Sequence, residues 1–334
     1  MTKLRNSIED VARRAKVSIT TVSRVINKVP TVSKENVARV EEAISFLKFK
    51  PNVTAQRLAT GQSTGIGFVM PGYPGIFHSF YAIELIRGIG HACETLRLDL
   101  IFHITDGFNS LSTHNVGGII FADIIENRKQ VEEAVSDGIP CMVINNVAQD
   151  LEVNYIGVDN VKGGMIATDY LINFGHRRIA TVTGNVQTQS GAERFEGYQK
   201  TLKKYDIPFN PEYVYKGDYS RRSARLAAER FFALDEPPTA IFAASDDMAL
   251  EIISVAFEKG IRIPEDISIV GYDDNPAGIY GPIALTTVKQ PLFQMAESSV
   301  KILNDIVTGK TTGLVQKLLV PELIVRDSCA APSH

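Results

Sequence analysis

Apolar residues recur at helical spacing through the first fifty positions and then give way to short unbroken apolar runs. Ser7-Ile8-Glu9-Asp10 reads as a helix start, with a serine able to cap and an acid three residues on. Val11, Ala12 and Ala15 continue an apolar stripe, Lys16-Val17-Ser18 breaks it, and a second short helix follows over Thr20–Asn27. A third begins at Ser33-Lys34-Glu35-Asn36 and places Val37, Val40, Ile44 and Leu47 on one face, enough for a three-helix core. Two short helices joined by a tight turn make a helix-turn-helix pattern.

From Thr64 the period changes. Short buried strands are predicted at Gly65–Met70, Leu98–Ile104, Gly118–Ala122, Cys141–Asn145, Ile179–Thr183, Ala240–Ala243 and Ser268–Tyr272. Helical stretches alternate with them at Phe80–Leu96, Val161–Phe174, Ala192–Tyr205, Ser220–Leu234 and Met248–Lys259. Strand–helix alternation means parallel sheets covered by helices. Two such sets fit two Rossmann-like lobes, with a cleft where the strand C-terminal ends meet. Between them, Pro51 biases Lys50 away from helix and Asn52 is a good cap, but the seven or eight residues that follow are too few for a helix stable in water.

A chain of 334 residues suits two or three domains, and 44% hydrophobic with 22% charged content is ordinary for a globular protein. No apolar run is long enough to span a bilayer, and the first residues lack the apolar core of a secretory leader. Cys93, Cys141 and Cys329 are odd in number and far apart, which predicts neither a disulfide framework nor a metal site and suits a reducing cytoplasm. Charge is split unevenly. Residues 1–60 carry twelve Lys/Arg against five Asp/Glu, a net +7, which leaves −10 on the rest of a chain whose total is −3. A basic head on an acidic body is the footprint of a nucleic-acid module attached to something that avoids DNA.

In the second helix Arg24 has the length and fork to reach guanine O6 and N7. Ile19 and Thr20 lie at the N-terminal end where base edges are met, and Thr20, Thr21 and Ser23 are small hydroxyl residues suited to close approach. Cofactor motifs fail. Gly65-Ile66-Gly67 has Met70 where a third glycine belongs, and Gly309-Lys310-Thr311 has Asn304 where a phosphate loop would begin. No zinc-protease, paired-cysteine or nucleophile-elbow pattern occurs, so no enzyme, cofactor or metal is expected. In the body, Asp273 follows the strand ending at Tyr272, Arg194 sits near the start of a helix, and Tyr219 lies in a loop. A carboxylate, a cationic fork and an aromatic plane are the three chemistries that hold a sugar. Duller roles stand beside these: Ser245 and Asp159-Asn160 as helix caps, Tyr219 as rim packing.

Ile8–Ala12 and Thr21–Asn27 together resemble the head of the lactose-repressor/galactose-repressor (LacI/GalR) family of bacterial transcription regulators, and Phe49–Leu58 resembles its hinge. The likeness then runs through nearly the whole chain. It implies an all-α helix-turn-helix head plus an α/β periplasmic-binding-protein-like core of two Rossmann-like parallel-sheet lobes. The expected parts are a DNA-binding domain at 1–50 and a hinge helix and linker at 51–64. The N-terminal lobe of the core takes 65–160 plus 292–320, and the C-terminal lobe 161–291 plus 321–329. The resemblance implies DNA contacts from Ile19, Thr20, Thr21, Ser23, Arg24, Asn27 and Asn52. Leu58 would be the wedge at the central base step, with Ala55 packed beside it. Gln56 stands where many relatives have arginine. Effector contacts are implied at Arg194, Asp273, Tyr219, Ser245 and Gln290, with Ser245 in place of a frequent asparagine.

Two departures stand out. Only ten residues separate Asp106 from Gly117, where relatives have a full helix, which predicts a less covered face on the N-terminal lobe. Gly72–Tyr81 is a few residues longer than usual, and its aromatics, Phe80 among them, are expected to border the cleft. The function expected is that of a cytoplasmic homodimeric repressor, associated with the nucleoid, that binds a palindromic operator and is modulated by a sugar-like effector. Alternatives are gating by a phosphorylated carrier protein, sensing of a nucleobase (which Thr188 disfavours), and, from another class, an α/β enzyme or transport binding protein. The C-terminus carries no leucine heptads, so no tetramer-forming tail is expected.

Overall fold

The computed structural model describes residues 7–26, 31–47, 65–72, 76–107, 109–111, 116–122, 126–148 and 150–332. It divides into two compact units, Met1–Ser63 and Thr64–His334. The expected hinge helix, with Asn52, Ala55, Gln56 and Leu58, lies outside the described residues, as does Asn27.

The first unit holds α1 (Ile8–Ala15), α2 (Ile19–Ile26) and α3 (Lys34–Leu47). Ser7 caps α1 in a reciprocal box. Its hydroxyl accepts the Asp10 backbone N–H at 3.4 Å, and the Asp10 carboxylate accepts the Ser7 N–H at 2.9 Å. Lys16 ends α1 in the left-handed region (φ 53°), and Ser18 Oγ accepts the Thr21 N–H at 3.1 Å to start α2. Arg39 of α3 locks this turn by donating Nη2 to the carbonyls of Ala15 and Lys16, at 2.6 and 3.1 Å. Val11, Val22 and Val40, one from each helix, are fully buried in the shared core.

The second unit contains two six-stranded sheets. The first is built from β1 (Gly65–Pro71), β2 (Asp99–Thr105), β3 (Val116–Phe121), β4 (Cys141–Ile144), β5 (Asn154–Val158) and β11 (Gln316–Leu319), in spatial order β11-β5-β4-β3-β1-β2. The second is built from β6 (Ile179–Val182), β7 (Val214–Tyr215), β8 (Ala240–Ala243), β9 (Ser268–Asp273), β10 (Thr286–Lys289) and β12 (Glu322–Ile324), in order β12-β10-β9-β8-β6-β7. Every pairing is parallel except the antiparallel β10–β12 pair. The chain therefore passes between the sheets three times: after β5, after β10, and between β11 and β12.

On the N-lobe, α4 (Phe80–Leu96) and α10 (Leu292–Val307) cover one face around Phe68, Leu85, Ile89 and Val300, and α5 (Arg128–Ser136) covers the other around Val69, Phe121 and Val131. On the C-lobe, α6 (Asn160–Asn173) and α7 (Gln189–Lys204) enclose Tyr198, Phe242 and Tyr272. The opposite face, under α8 (Arg221–Phe231) and α9 (Asp246–Glu258), encloses Phe231, Ile252 and Ile269. Serine and aspartate caps set the starts: Asp159 for α6, Ser220 for α8 and Ser245 for α9 each accept a backbone N–H three residues on.

The observed elements differ from the expected ones in two respects. The helix carrying Arg194 begins at Gln189 with Thr188 as its cap, three residues before the expected Ala192. Arg194 therefore stands in the second turn, away from the positive end. Strands β7, β11 and β12 escape prediction because they are short or exposed and lie at sheet edges, and β10 because half of it is threonine; β5 is a buried five-residue run inside its sheet that the same pattern would have allowed. The Gly72–Tyr81 aromatics are divided in role. Phe77 meets Phe102 of β2 edge-on at 6.2 Å, Phe80 is half-buried against the N-lobe core, and the Tyr81 hydroxyl donates to the Ala122 carbonyl at 3.1 Å.

Between β2 and β3 the described residues carry no helix. The space is partly filled by Leu111 and by Gln130, whose buried amide donates to Thr105 Oγ1 and to the Asn109 carbonyl at 2.8 and 2.6 Å. A groove of about 460 Å³ remains, lined by Ser110, Leu111, Ile119 and α5 residues including Lys129 and Glu133. It shares no residue with the expected sensor set.

Candidate functional site: a groove-reading helix and an interlobe cleft

In the head, burial splits α2 by face. Val22 is buried and Val25 and Ile26 pack against the core, so the opposite side is free. Ile19, Thr20 and Arg24 are exposed on it, and Thr21 and Ser23 are half-buried beside them. An exposed Ile19 at the first position of a helix has no partner within its own small core, which suits an apolar contact to a thymine methyl. Thr21 is less available, since its hydroxyl lies 2.9 Å from Ser18 Oγ.

In the body, the polar residues just past the C-terminal strand ends converge on Arg194. This side chain is 4% exposed. Its Nε donates to Asn160 Oδ1 at 2.9 Å, its Nη1 donates to the Ala244 carbonyl at 2.7 Å, and its guanidinium lies 3.8 Å from the centre of the Tyr272 ring. Neutral acceptors and an aromatic face thus hold a desolvated cation in place of a direct carboxylate partner. The Tyr272 hydroxyl also donates to Asn160 Oδ1, at 3.2 Å. Tyr219 sits farther out, its ring 6.0 Å from the guanidinium, with its hydroxyl 3.3 Å from Ser190 Oγ.

Asp273 ends β9 with φ at 129°, an uncommon backbone for a side-chain-bearing residue. Its Oδ1 accepts from Gln290 Nε2 at 2.6 Å, while Gln290 Oε1 is buried with no donor. Asn145 Oδ1, just past β4 on the N-lobe, is likewise buried and undonated. Each such orphan acceptor costs roughly 1–3 kcal/mol until something donates to it. Ser245 is 6% exposed and serves α9 as its cap, accepting the Met248 N–H at 3.4 Å.

Asp246 was not singled out by the sequence, yet it is fully buried beneath this site. Its two oxygens accept from Thr287 Oγ1 at 2.6 Å and from the Asn275 N–H at 2.7 Å. Burial first, and the neighbouring Asp273 charge second, push the Asp246 carboxyl upward; burial does the same to Asp273 against the pull of Arg194. Asp274 is neutralised separately by Arg326 and Lys289. The inner site therefore sets two carboxyls against one guanidinium. Asn160 was also missed, having been read only as part of a cap. The available signal was its place directly after a strand, at the first passage between lobes. Among the described residues, no cluster of three or more His, Cys, Asp or Glu could hold a metal, and no helix is long and apolar enough to cross a membrane.

Comparison with known proteins agrees with both halves. The family model described as bacterial regulatory proteins, lacI family, matches residues 7–52, and the periplasmic binding protein-like domain matches residues 168–329. The probable HTH-type transcriptional repressor ExuR of Bacillus subtilis (strain 168) is 33% identical over 96% of this chain and 98% of its own length. Among solved structures, a transcriptional regulator CelR–cellobiose complex is 30% identical with a TM-score of 0.72, covering 97% of this chain and 100% of that one. The lac repressor dimer bound to operator and the anti-inducer ONPF is 28% identical with a TM-score of 0.82, covering 98% of this chain and 100% of that one. A groove-reading head, a two-lobed sensor core and full-length relatives that are regulators rather than enzymes lead to one conclusion: this chain belongs to the LacI family and is a DNA-binding transcriptional repressor.

Proposed function

We propose that the protein acts in the cytoplasm as a homodimer on a palindromic operator, and that an uncharged sugar-like effector in the interlobe cleft modulates its grip. The observation that carries the effector reading is that two of the three undonated buried side-chain acceptors among the described residues, Gln290 Oε1 and Asn145 Oδ1, lie one on each lobe just past a strand end; the third, Asn127 Oδ1, lies at the start of α5. Sugar hydroxyls supply the missing donors, the half-buried Tyr219 ring supplies aromatic surface, and Arg194 and Asp273 fork onto hydroxyls. Arg194 already has the Asp273 carboxyl as a neighbour and a buried setting that penalises added charge, so sugar acids and sugar phosphates fit less well than a neutral polyol. The related CelR structure holds cellobiose, a neutral sugar.

Dimerisation is supported by apolar surface on the C-lobe. Tyr280 is 84% exposed beside Ile279, and Phe257 of α9 is also exposed. Leu250 lies on the same face of α9 as Phe257, against Gly281. One helix-turn-helix makes too few contacts for tight specific binding, and two heads on two half-sites remedy this. The related lac repressor structure is a dimer on operator DNA. Ile19, Thr20, Thr21, Ser23, Arg24 and Asn27 are assigned to the major groove, and Asn52, Ala55 and Leu58 to the hinge contact. Arg194, Asp273, Gln290, Tyr219, Ser245 and Phe80 are assigned to the effector. Footprinting of the upstream DNA, with and without a panel of neutral sugars, sugar acids and sugar phosphates, is the test. The expected result is a protected palindrome whose affinity responds to a neutral sugar. No protected palindrome, or a response confined to acidic sugars, overturns the reading.

A further inference from the structure

We infer that Gln189 is a latch between the lobes, which holds the core closed before any effector arrives; the inference rests on the cleft reading above. Gln189 opens α7 on the C-lobe. Its Oε1 accepts the Val147 backbone N–H at 2.8 Å and faces Asn146 Nδ2 at 3.5 Å. Asn146 and Val147 lie just past β4 on the N-lobe, so one amide oxygen spans the cleft.

The latch is tied to the effector machinery. One turn along α7, the Glu193 carboxyl faces the side chains of both Gln189 and Asn160, in a half-buried setting that favours its protonated form. Asn160, at the first passage between lobes, accepts from Arg194 Nε and the Tyr272 hydroxyl. A ligand that draws on Arg194 therefore acts on the acceptor shared with Tyr272, and through Asn160 and Glu193 on Gln189. A conformational equilibrium shifts only through contacts that differ between its states, and the Gln189–Val147 bond is such a contact, since it exists only with the lobes together. Closure here is a built-in preference, and an effector adds to it or works against it.

A single neutral hydrogen bond of this kind shifts a closed-to-open ratio by roughly 2- to 10-fold. The test needs no effector. Spin labels are placed at the exposed positions Ser136 and Lys203, one on each lobe, through Ser136→Cys and Lys203→Cys. Burial pushes the native thiols Cys93, Cys141 and Cys329 up to about 11, so labelling at neutral pH goes to the two new sites. The labelled chain is diluted with unlabelled chain, and interlobe distances are read by pulsed electron paramagnetic resonance.

The unliganded wild type is expected to give one short distance. Gln189→Ala is expected to add a longer one, raising the open fraction roughly 2- to 10-fold. Gln189→Glu combined with Glu193→Gln keeps an acceptor toward Val147 and an acid–amide contact beneath it, and is expected to restore the short distance. An already open wild type, a Gln189→Ala distribution like the wild type, or a swap that fails to restore closure each overturn the latch. None of these outcomes bears on the sugar reading, which stands or falls with the footprinting panel.

Discussion

The Arg194 guanidinium lies 3.8 Å from the centre of the Tyr272 ring, and both side chains donate to the same oxygen, Asn160 Oδ1. A cation, an aromatic plane and a hinge amide thus form one rigid unit. Its rigidity depends on a neighbour with no side chain: a Cβ on Gly163 would sit 2.1 Å from the Tyr272 hydroxyl.

Gly163→Ala should therefore displace Tyr272 and loosen Arg194 with it. Overpacking of this kind costs about 1–3 kcal/mol. A lower melting temperature with weakened effector binding is expected, and unchanged binding in a calorimetric titration would mean that Tyr272 is not part of the platform.

Arg24→Ala should reduce discrimination between operator and random DNA by ~1–3 kcal/mol per half-site. Competition binding at fixed salt measures this. An equal loss on all sequences would make Arg24 a phosphate contact only.

Asp273→Asn should abolish the effector response and leave operator binding intact. It should also change the pH profile. Asp246 and Asp273 have raised folded-state values, so their contribution to stability is full at acid pH, below the ordinary carboxylate range, and is lost as pH rises through those values. Removing one charge should shrink the fall in melting temperature between pH 5 and pH 8. An unchanged slope would contradict the coupling.

His176 should produce the opposite slope. Its Nε2 lies 2.9 Å from the Ala330 carbonyl, which can only accept, so that nitrogen carries the proton, and Nδ1 faces Thr239 Oγ1 at 2.9 Å. Burial holds the folded value below the usual one. Stability from this group is present above about pH 6.5 and declines as pH falls below it. His176→Gln should flatten the acid-side loss in a pH series of thermal melts.

Tyr280→Asp places a charge in the exposed apolar patch beside Ile279. The expected outcome is a shift from dimer to monomer in sedimentation velocity, together with weaker operator binding. Dimers at the wild-type concentration would move the interface elsewhere.

Much of this architecture could be read from residue patterns, and the failures have physical causes. The strands Gly65–Pro71 and Ala240–Ala243 are buried apolar runs that need no context to recognise. Thr286–Lys289 is as deep in its sheet, but two of its buried side chains are threonines, which read as loop because their hydroxyl partners, Asp246 and the Arg326 N–H, lie far away along the chain. Gln316–Leu319 is an exposed edge with no alternation to betray it. At the site, Arg194 and Asp273 were legible as chemistry, but their setting was not. The burial of Arg194 arises from Asn160 and Tyr272, distant in sequence, and Asp246 was hidden because an acid at a helix start is an ordinary capping-turn residue.

The chain's third passage between sheets governs how the protein is made. The first sheet cannot gain its β11 edge until residues 316–319 have left the ribosome, and α10, which covers one of its faces, emerges only after nearly all of the second lobe. Synthesis order and completion order are therefore inverted, because the lobe begun first must wait, partly uncovered, for the end of translation. Truncation near residue 290 should leave both lobes unfinished, and an arrested chain of that length should be degraded or held by chaperones.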